Sequence, residues 1–156
     1  MEEIPRDKGT YILIIKCPKN VSFKVGSLGT IMLKNWDVYI YVGSAFNKGG
    51  LASRVSRHLK YHDKKTFWHI DYVLNANTGC RIVTVIIIPR RKVEHVIAKY
   101  FSTMFKYVPK FGSTDCKCPS HFFVMEHIGL EEVMKNINKV LTSLKLSFKV
   151  LKCSEV

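Results

Sequence analysis

Tyr11 and Tyr41 lie in two β-rich runs, Gly9 to Cys17 and Val38 to Gly43. Strand alternation places Tyr11, Leu13 and Ile15 on one face and Ile12 and Ile14 on the other; Tyr39 and Tyr41 share a face opposite Val38, Ile40 and Val42. If the runs are neighbours, the two phenols approach across the pair, although tyrosines are also simply good strand formers. Downstream, Leu51, Val55 and Leu59 recur at the spacing of a helix core stripe, which leaves Arg54, Arg57 and His58 to project together. Two guanidiniums and an imidazole on one face can grip a phosphate, the histidine also passing a proton; otherwise they form a solvated basic face. Glu94 is the sole carboxylate between Asp71 and Asp115 and opens a basic helix beside Arg90, Arg91, Lys92 and His95. It suits the helix dipole, and it also suits Mg²⁺, which keeps most of its waters and needs one or two carboxylates plus phosphate.

The elements that must position these groups read as follows. Gly9 to Cys17 is a strand, and Val21 to Val25, Thr30 to Leu33 and Val38 to Gly43 are short strands, together suggesting an antiparallel meander. Tyr41-Val42-Gly43-Ser44 leads to Asn47-Lys48-Gly49-Gly50, a glycine-rich helix entry that either offers N–H groups to a phosphate or merely caps the helix. Phe67 to Leu74 reads as a short helix and Arg81 to Ile88, ending at Pro89, as a buried strand. Lys92 to Phe105 is a helix, Phe111 to Phe123 holds a turn-rich stretch, Leu130 to Leu144 is a basic amphipathic helix, and a strand over Lys145 to Leu151 closes the chain. This order predicts an α+β domain, a small antiparallel sheet of three or more strands flanked by helices.

The chain has 156 residues with 47% hydrophobic and 24% charged, which fits one domain with its own core and excludes a disordered chain. A net charge of +13 points to polyanions, nucleic acid first and anionic membrane second. Six cations face one acid in residues 45–65 and again in 89–110, where Glu94 is the exception. Charge gathered around a candidate cation ligand favours a phosphodiester over a membrane surface. Acids at Glu2, Glu3 and Asp7 speak against a secretory signal, and no apolar run approaches the ~20 residues of a bilayer span, so a cytoplasmic protein without a membrane partner is expected. Five cysteines without an export signal are expected to be free, mostly buried thiols.

Gly9-Thr10-Tyr11, Tyr41-Val42-Gly43-Ser44-Ala45, Arg54 with Arg57-His58, and Glu94 in a later helix resemble, in order and approximate spacing, the GIY-YIG nuclease domain over Lys8 to Tyr107. Trp68-His69-Ile70-Asp71-Tyr72 and the segment Phe111 to His121 look typical of a small branch of that superfamily. That branch is found as free-standing archaeal proteins and fused to endonuclease III-type glycosylases. The resemblance implies a three-stranded antiparallel sheet with helices and cleavage of a DNA phosphodiester with one divalent ion, Mg²⁺ or Mn²⁺. It also implies that Tyr11 and Tyr41 position or deprotonate water, that Arg54 stabilises phosphate charge, that His58 assists proton transfer, and that Glu94 holds the metal.

The expected organisation is one GIY-YIG-like domain over 1–156, its core about 8–123, with a basic extension over 124–156. The expected function is a metal-dependent endonuclease, with DNA repair as its setting. Lys48, Arg57, Lys60, Arg90, Arg91 and Lys92 are the expected nucleic-acid contacts. The longer gap between Gly43 and Arg54 than in homing endonucleases keeps a non-catalytic DNA- or RNA-binding module as the alternative. Cys116-Lys117-Cys118 with His121 offers zinc ligands, but their spacing is not that of the usual knuckles and a tight turn explains it as well, so zinc is not the expected ion.

Overall fold

The computed structural model describes residues 3–113 and 117–153. Strands β1 (Gly9–Lys16), β2 (Val21–Lys24), β3 (Thr30–Leu33) and β4 (Val38–Ala45) come first, followed by helices α1 (Gly50–Leu59) and α2 (His69–Val73). Then come β5 (Arg81–Pro89), α3 (Glu94–Met104), β6 (Lys106–Tyr107), β7 (Phe122–Met125), α4 (Leu130–Ser143) and β8 (Lys149–Lys152). The main sheet has six strands in the order β6-β7-β4-β1-β5-β8, every neighbouring pair antiparallel. The expected α+β class holds. The meander does not: β1 pairs directly with β4, while β2 and β3 form a separate hairpin.

Strand β1 is central because both of its faces are apolar. Tyr11, Leu13 and Ile15 enter one core with Tyr39, Leu51, Val55 and Ile70; Ile12 and Ile14 enter a second with Val38, Ile40, Val42, Ile97 and Phe101. Alternation thus assigned each strand's faces correctly. The second core is completed by α4 through Val133, Ile137 and Leu141, and β8 pairs with β5, so α4 and β8 belong to the same sheet and core.

Cys17 and Cys80 form a disulfide, which corrects the expectation of free thiols for this pair. The cause is register. Ile15 faces Ile82 and Lys16 faces Arg81, so the next residues outward meet with their Cα atoms 4.0 Å apart. Among the described residues Cys118 and Cys153 form no disulfide, and Cys116 lies outside them.

Candidate active site

Tyr11 sits one residue after Thr10, a buried hydroxyl with two jobs. It donates to the carbonyl of Arg91 at 2.7 Å and accepts the N–H of Val93 at 3.0 Å. Because α3 begins at Glu94, this pair of bonds fixes the start of the helix against the strand that carries Tyr11. On the other side of β1, Tyr11 is paired with Gly43 and Leu13 with Tyr41, so the two phenols lie on one face, their rings 6.4 Å apart. Helix α1 adds Arg54 and His58 above them.

These groups line one cleft of about 510 Å³, walled by Tyr11, Tyr41, Gly43, Ser44, Arg54, His58, Phe67, Trp68, His69, Lys92, Glu94, His95, Gly112 and His121. All five residues expected to be catalytic are among them. Among the described residues Glu94 is the one carboxylate in the wall; its side chain is only 16% exposed, its Oε1 lies 3.7 Å from His95 Nε2, and Arg54 and Lys92 line the same cleft.

His58 is buried, not part of an exposed basic face as helix spacing suggested; the buried stripe of α1 runs through Leu51, Val55 and His58. Its Nε2 lies 2.7 Å from the Tyr11 hydroxyl, and among the described residues its Nδ1 has no hydrogen-bond partner. Burial first, then the charges of Lys64, Arg54 and Arg57, push the imidazole down to about 3 despite the opposing pull of Asp71, so it is neutral at physiological pH. Tyr11 is pushed well above its ordinary value by burial and by Tyr41, with Arg54 pulling the other way, so its proton is held at rest. The protonated phenol and the neutral imidazole share this one hydrogen bond, in which each is able to donate or accept.

Arg54 donates to the carbonyl of Ser44 at 3.1 Å, and its guanidinium lies 4.5 Å from the Trp68 ring centroid. The Arg57 guanidinium also lies 4.5 Å from that ring, but Arg57 does not line the cleft. It makes a bidentate pair with buried Asp71, at 2.7 and 2.8 Å, and donates to the Lys65 carbonyl. Burial would raise the Asp71 carboxyl; Arg57 and the N–H groups of Trp68 and Phe67 outweigh it and hold the group below its usual range. Arg57 is therefore held by Asp71 as a support for the Trp68 wall, outside the cleft that Arg54 lines.

Of the remaining expected contacts, Lys92 lines the cleft. Lys48, Lys60, Arg90 and Arg91 are exposed outside it, and Arg90 pairs with Asp7 at 2.9 Å. The glycine-rich entry to α1 is a cap rather than a phosphate cradle. The N–H groups of Leu51 and Ala52 are taken by the carbonyls of Asp7 and Pro5, both at 2.9 Å, and those of Gly50 and Ser53 by Asn47 and Gly49. Gly50 has a φ of +59°, and a Cβ there would collide with the backbone of Arg6 and Asp7.

Sequence reasoning missed His69, His95 and His121 as members of this cleft. His69 accepts the Gly112 N–H at Nδ1, 2.9 Å away, and His121 meets the Val42 carbonyl with Nδ1 at 3.1 Å. His69 and His121 lie in the segments 68–72 and 111–121 singled out in the sequence, and His95 stands beside Glu94, but no spacing placed any of them in the cleft. No helix in the described residues is long and apolar enough to cross a membrane. No curated protein and no solved structure matches the chain. Residues 10–146 match the family described as the domain of unknown function DUF123, and the chain belongs to that family.

Proposed function

We propose that this protein is a metal-dependent endonuclease of GIY-YIG type that hydrolyses DNA phosphodiester bonds inside the cell, with repair as its setting. The observation that carries this reading is the assembly of Tyr11, Tyr41, Arg54, His58 and Glu94, drawn from four different elements, on the wall of one cleft. A structural role would not require the only carboxylate of that wall among the described residues to share it with a phenol pair and an arginine.

The donor set fits a hard divalent ion. Glu94 supplies one sheltered carboxylate, and the phosphate and water supply the remaining oxygens, as Mg²⁺ or Mn²⁺ sites of this kind require. When bound, the ion supplies Lewis-acid stabilisation of charge on the phosphate oxygens. Arg54, held by Ser44 and stacked on Trp68, presents its guanidinium to the scissile phosphate and stabilises the charge that grows there. The Tyr11 hydroxyl, held by its hydrogen bond to His58, orients the attacking water from the cleft wall. Tyr41 closes the same face of the sheet and packs edge-on to His58, their centroids 6.1 Å apart. Lys92 adds a diffuse attraction for the DNA backbone.

The experiment is plasmid nicking with Mg²⁺ by the wild type, Glu94→Ala and Arg54→Ala. Metal-dependent nicking lost in both variants supports the reading. Tight, salt-sensitive DNA binding without strand loss would instead make the protein a binding module on the same scaffold.

A further inference from the structure

The turn that leads into β7 brings Cys118 and His121 against the first turn of α3, where His95 stands. One ligand atom from each of the three residues lies within 4.8 Å of the others. The Cys118 sulfur also sits 3.9 Å from the backbone carbonyl of His95, which ties the thiol to the helix start. Cys118 and His121 are buried, while the His95 side chain is half exposed on the rim of the cleft.

His121 is prepared as a ligand. Its partner at Nδ1 is a carbonyl oxygen, which can only accept, so Nδ1 carries the proton and Nε2 carries the lone pair. That arrangement, one ring nitrogen donating to a backbone carbonyl and the other free of a proton, is how metal-bound histidines are oriented. The His121 backbone is pinned as well: its N–H reaches the Phe111 carbonyl at 2.8 Å, and its carbonyl accepts the Val42 N–H at 3.0 Å.

We infer that His95, Cys118 and His121 form a zinc site on the cleft wall; among the described residues no fourth protein ligand joins them, and water fills the position on the cleft side. Two imidazoles and a thiolate are borderline and soft donors; they suit Zn²⁺ and do not suit Mg²⁺. In a tetrahedral site with Zn–N near 2.0–2.1 Å, ligand atoms stand about 3.4 Å apart, so the three side chains close by roughly 1 Å on binding. The exposed His95 side chain can make that movement. His95 and His121 line the cleft and Cys118 does not, which directs the open vertex inward. Binding releases the Cys118 thiol proton to solvent, because only the thiolate coordinates. The ion would join α3 to the approach of β7 beside Glu94. The site uses none of the five residues assigned to hydrolysis, although His95 Nε2 lies 3.7 Å from the Glu94 carboxylate, so its test is zinc binding without DNA rather than nicking.

The test is metal binding by the full-length chain without DNA, using zinc alone and then cobalt alone. Expected are one zinc per chain and, with Co²⁺, a near-ultraviolet thiolate-to-metal charge-transfer band. The band disappears in Cys118→Ser and persists in Cys153→Ser. His95→Ala and His121→Ala each weaken zinc binding by at least the roughly 10–100-fold that loss of an outer-shell partner costs. His95 is at the surface, so its variant reports even if a buried substitution prevents folding. Absence of saturable binding to the folded wild type, a cobalt band that survives Cys118→Ser, or unchanged affinity in His95→Ala would each overturn the site.

Discussion

Gly43 has no side chain where the ring of Tyr11 lies across β4: a Cβ on residue 43 would stand 2.5 Å from both Cζ and the hydroxyl of that phenol. The glycine of the Tyr41-Val42-Gly43 run is therefore a space for the tyrosine of the facing strand. Its φ needs no glycine, so the requirement is one of close approach alone.

Gly43→Ala is expected to displace Tyr11 and to destabilise the fold by about 1–3 kcal/mol, the cost of overpacking a dense core. In a Tyr11→Ala background the same change should cost close to nothing, because the clash is gone. Urea melts of the four proteins give the coupling directly. Equal costs in both backgrounds would contradict the assignment of Gly43 to Tyr11.

Acid should destabilise the fold through His58. An unfolded imidazole titrates near 6.5, whereas the buried one is held at about 3. Between those values the unfolded chain binds a proton that the folded chain refuses, so stability is full above pH 6.5 and falls as pH drops through the window. His69, also lowered by burial, adds the same sign; Asp71, held below its ordinary 3.8, extends the loss to lower pH still. Thermal melts from pH 7.5 to 4 should show this slope, and it should be shallower in His58→Asn.

Arg54 and Arg57 should separate cleanly. Arg57→Ala leaves the carboxylate of Asp71, only 1% exposed, without its bidentate partner and is expected to cost about 3 kcal/mol. Arg54→Ala should barely move the melting temperature while reducing nicking by about 10²–10³, the range for losing one donor to a transition-state charge. Melting curves and nicking rates of both variants check the pair. Loss of activity in Arg57→Ala at full stability would return that arginine to the substrate.

The Cys17–Cys80 bridge closes a loop of sequence separation 63, for which loop-closure entropy gives about 4 kcal/mol. Cys17→Ser, or reduction, should lower the melting temperature. Nicking at low temperature should be unaffected, since Cys17 is six residues, or about 20 Å, along the strand from Tyr11. A calorimetric scan with and without reductant measures this, and an unchanged melting temperature would deny the bridge a stabilising role.

Much of the scaffold was legible because single-element patterns carry it. The period of two in β1 and β4 assigned both tyrosine faces, and the spacing of Val93, Ile97, Tyr100, Phe101 and Met104 marked α3, although Tyr100 and Met104 are exposed. Tertiary pairing accounts for what was not legible. Strands β6 and β7 are two and four residues long and too short to show a period. The departure of the β2–β3 hairpin from the sheet leaves no local trace. Arg57 looks like a phosphate grip until Asp71, fourteen residues on, is folded beneath it. His58 falls seven residues after Leu51, on the edge of the stripe, and only the packed helix shows that it is buried. His121 reaches the cleft through Val42, 79 residues away, a contact that no spacing rule contains.

The central claim is that the carboxylate of Glu94 holds the catalytic ion. Its most direct test is the Mg²⁺- or Mn²⁺-dependent nicking rate of supercoiled plasmid by wild type and Glu94→Gln, which keeps the shape of the side chain and removes its charge. The account predicts metal-dependent nicking by the wild type and its loss in Glu94→Gln, with DNA binding and melting temperature preserved. Equal nicking by the two proteins, or none by the wild type at any Mg²⁺ or Mn²⁺ concentration, would contradict it.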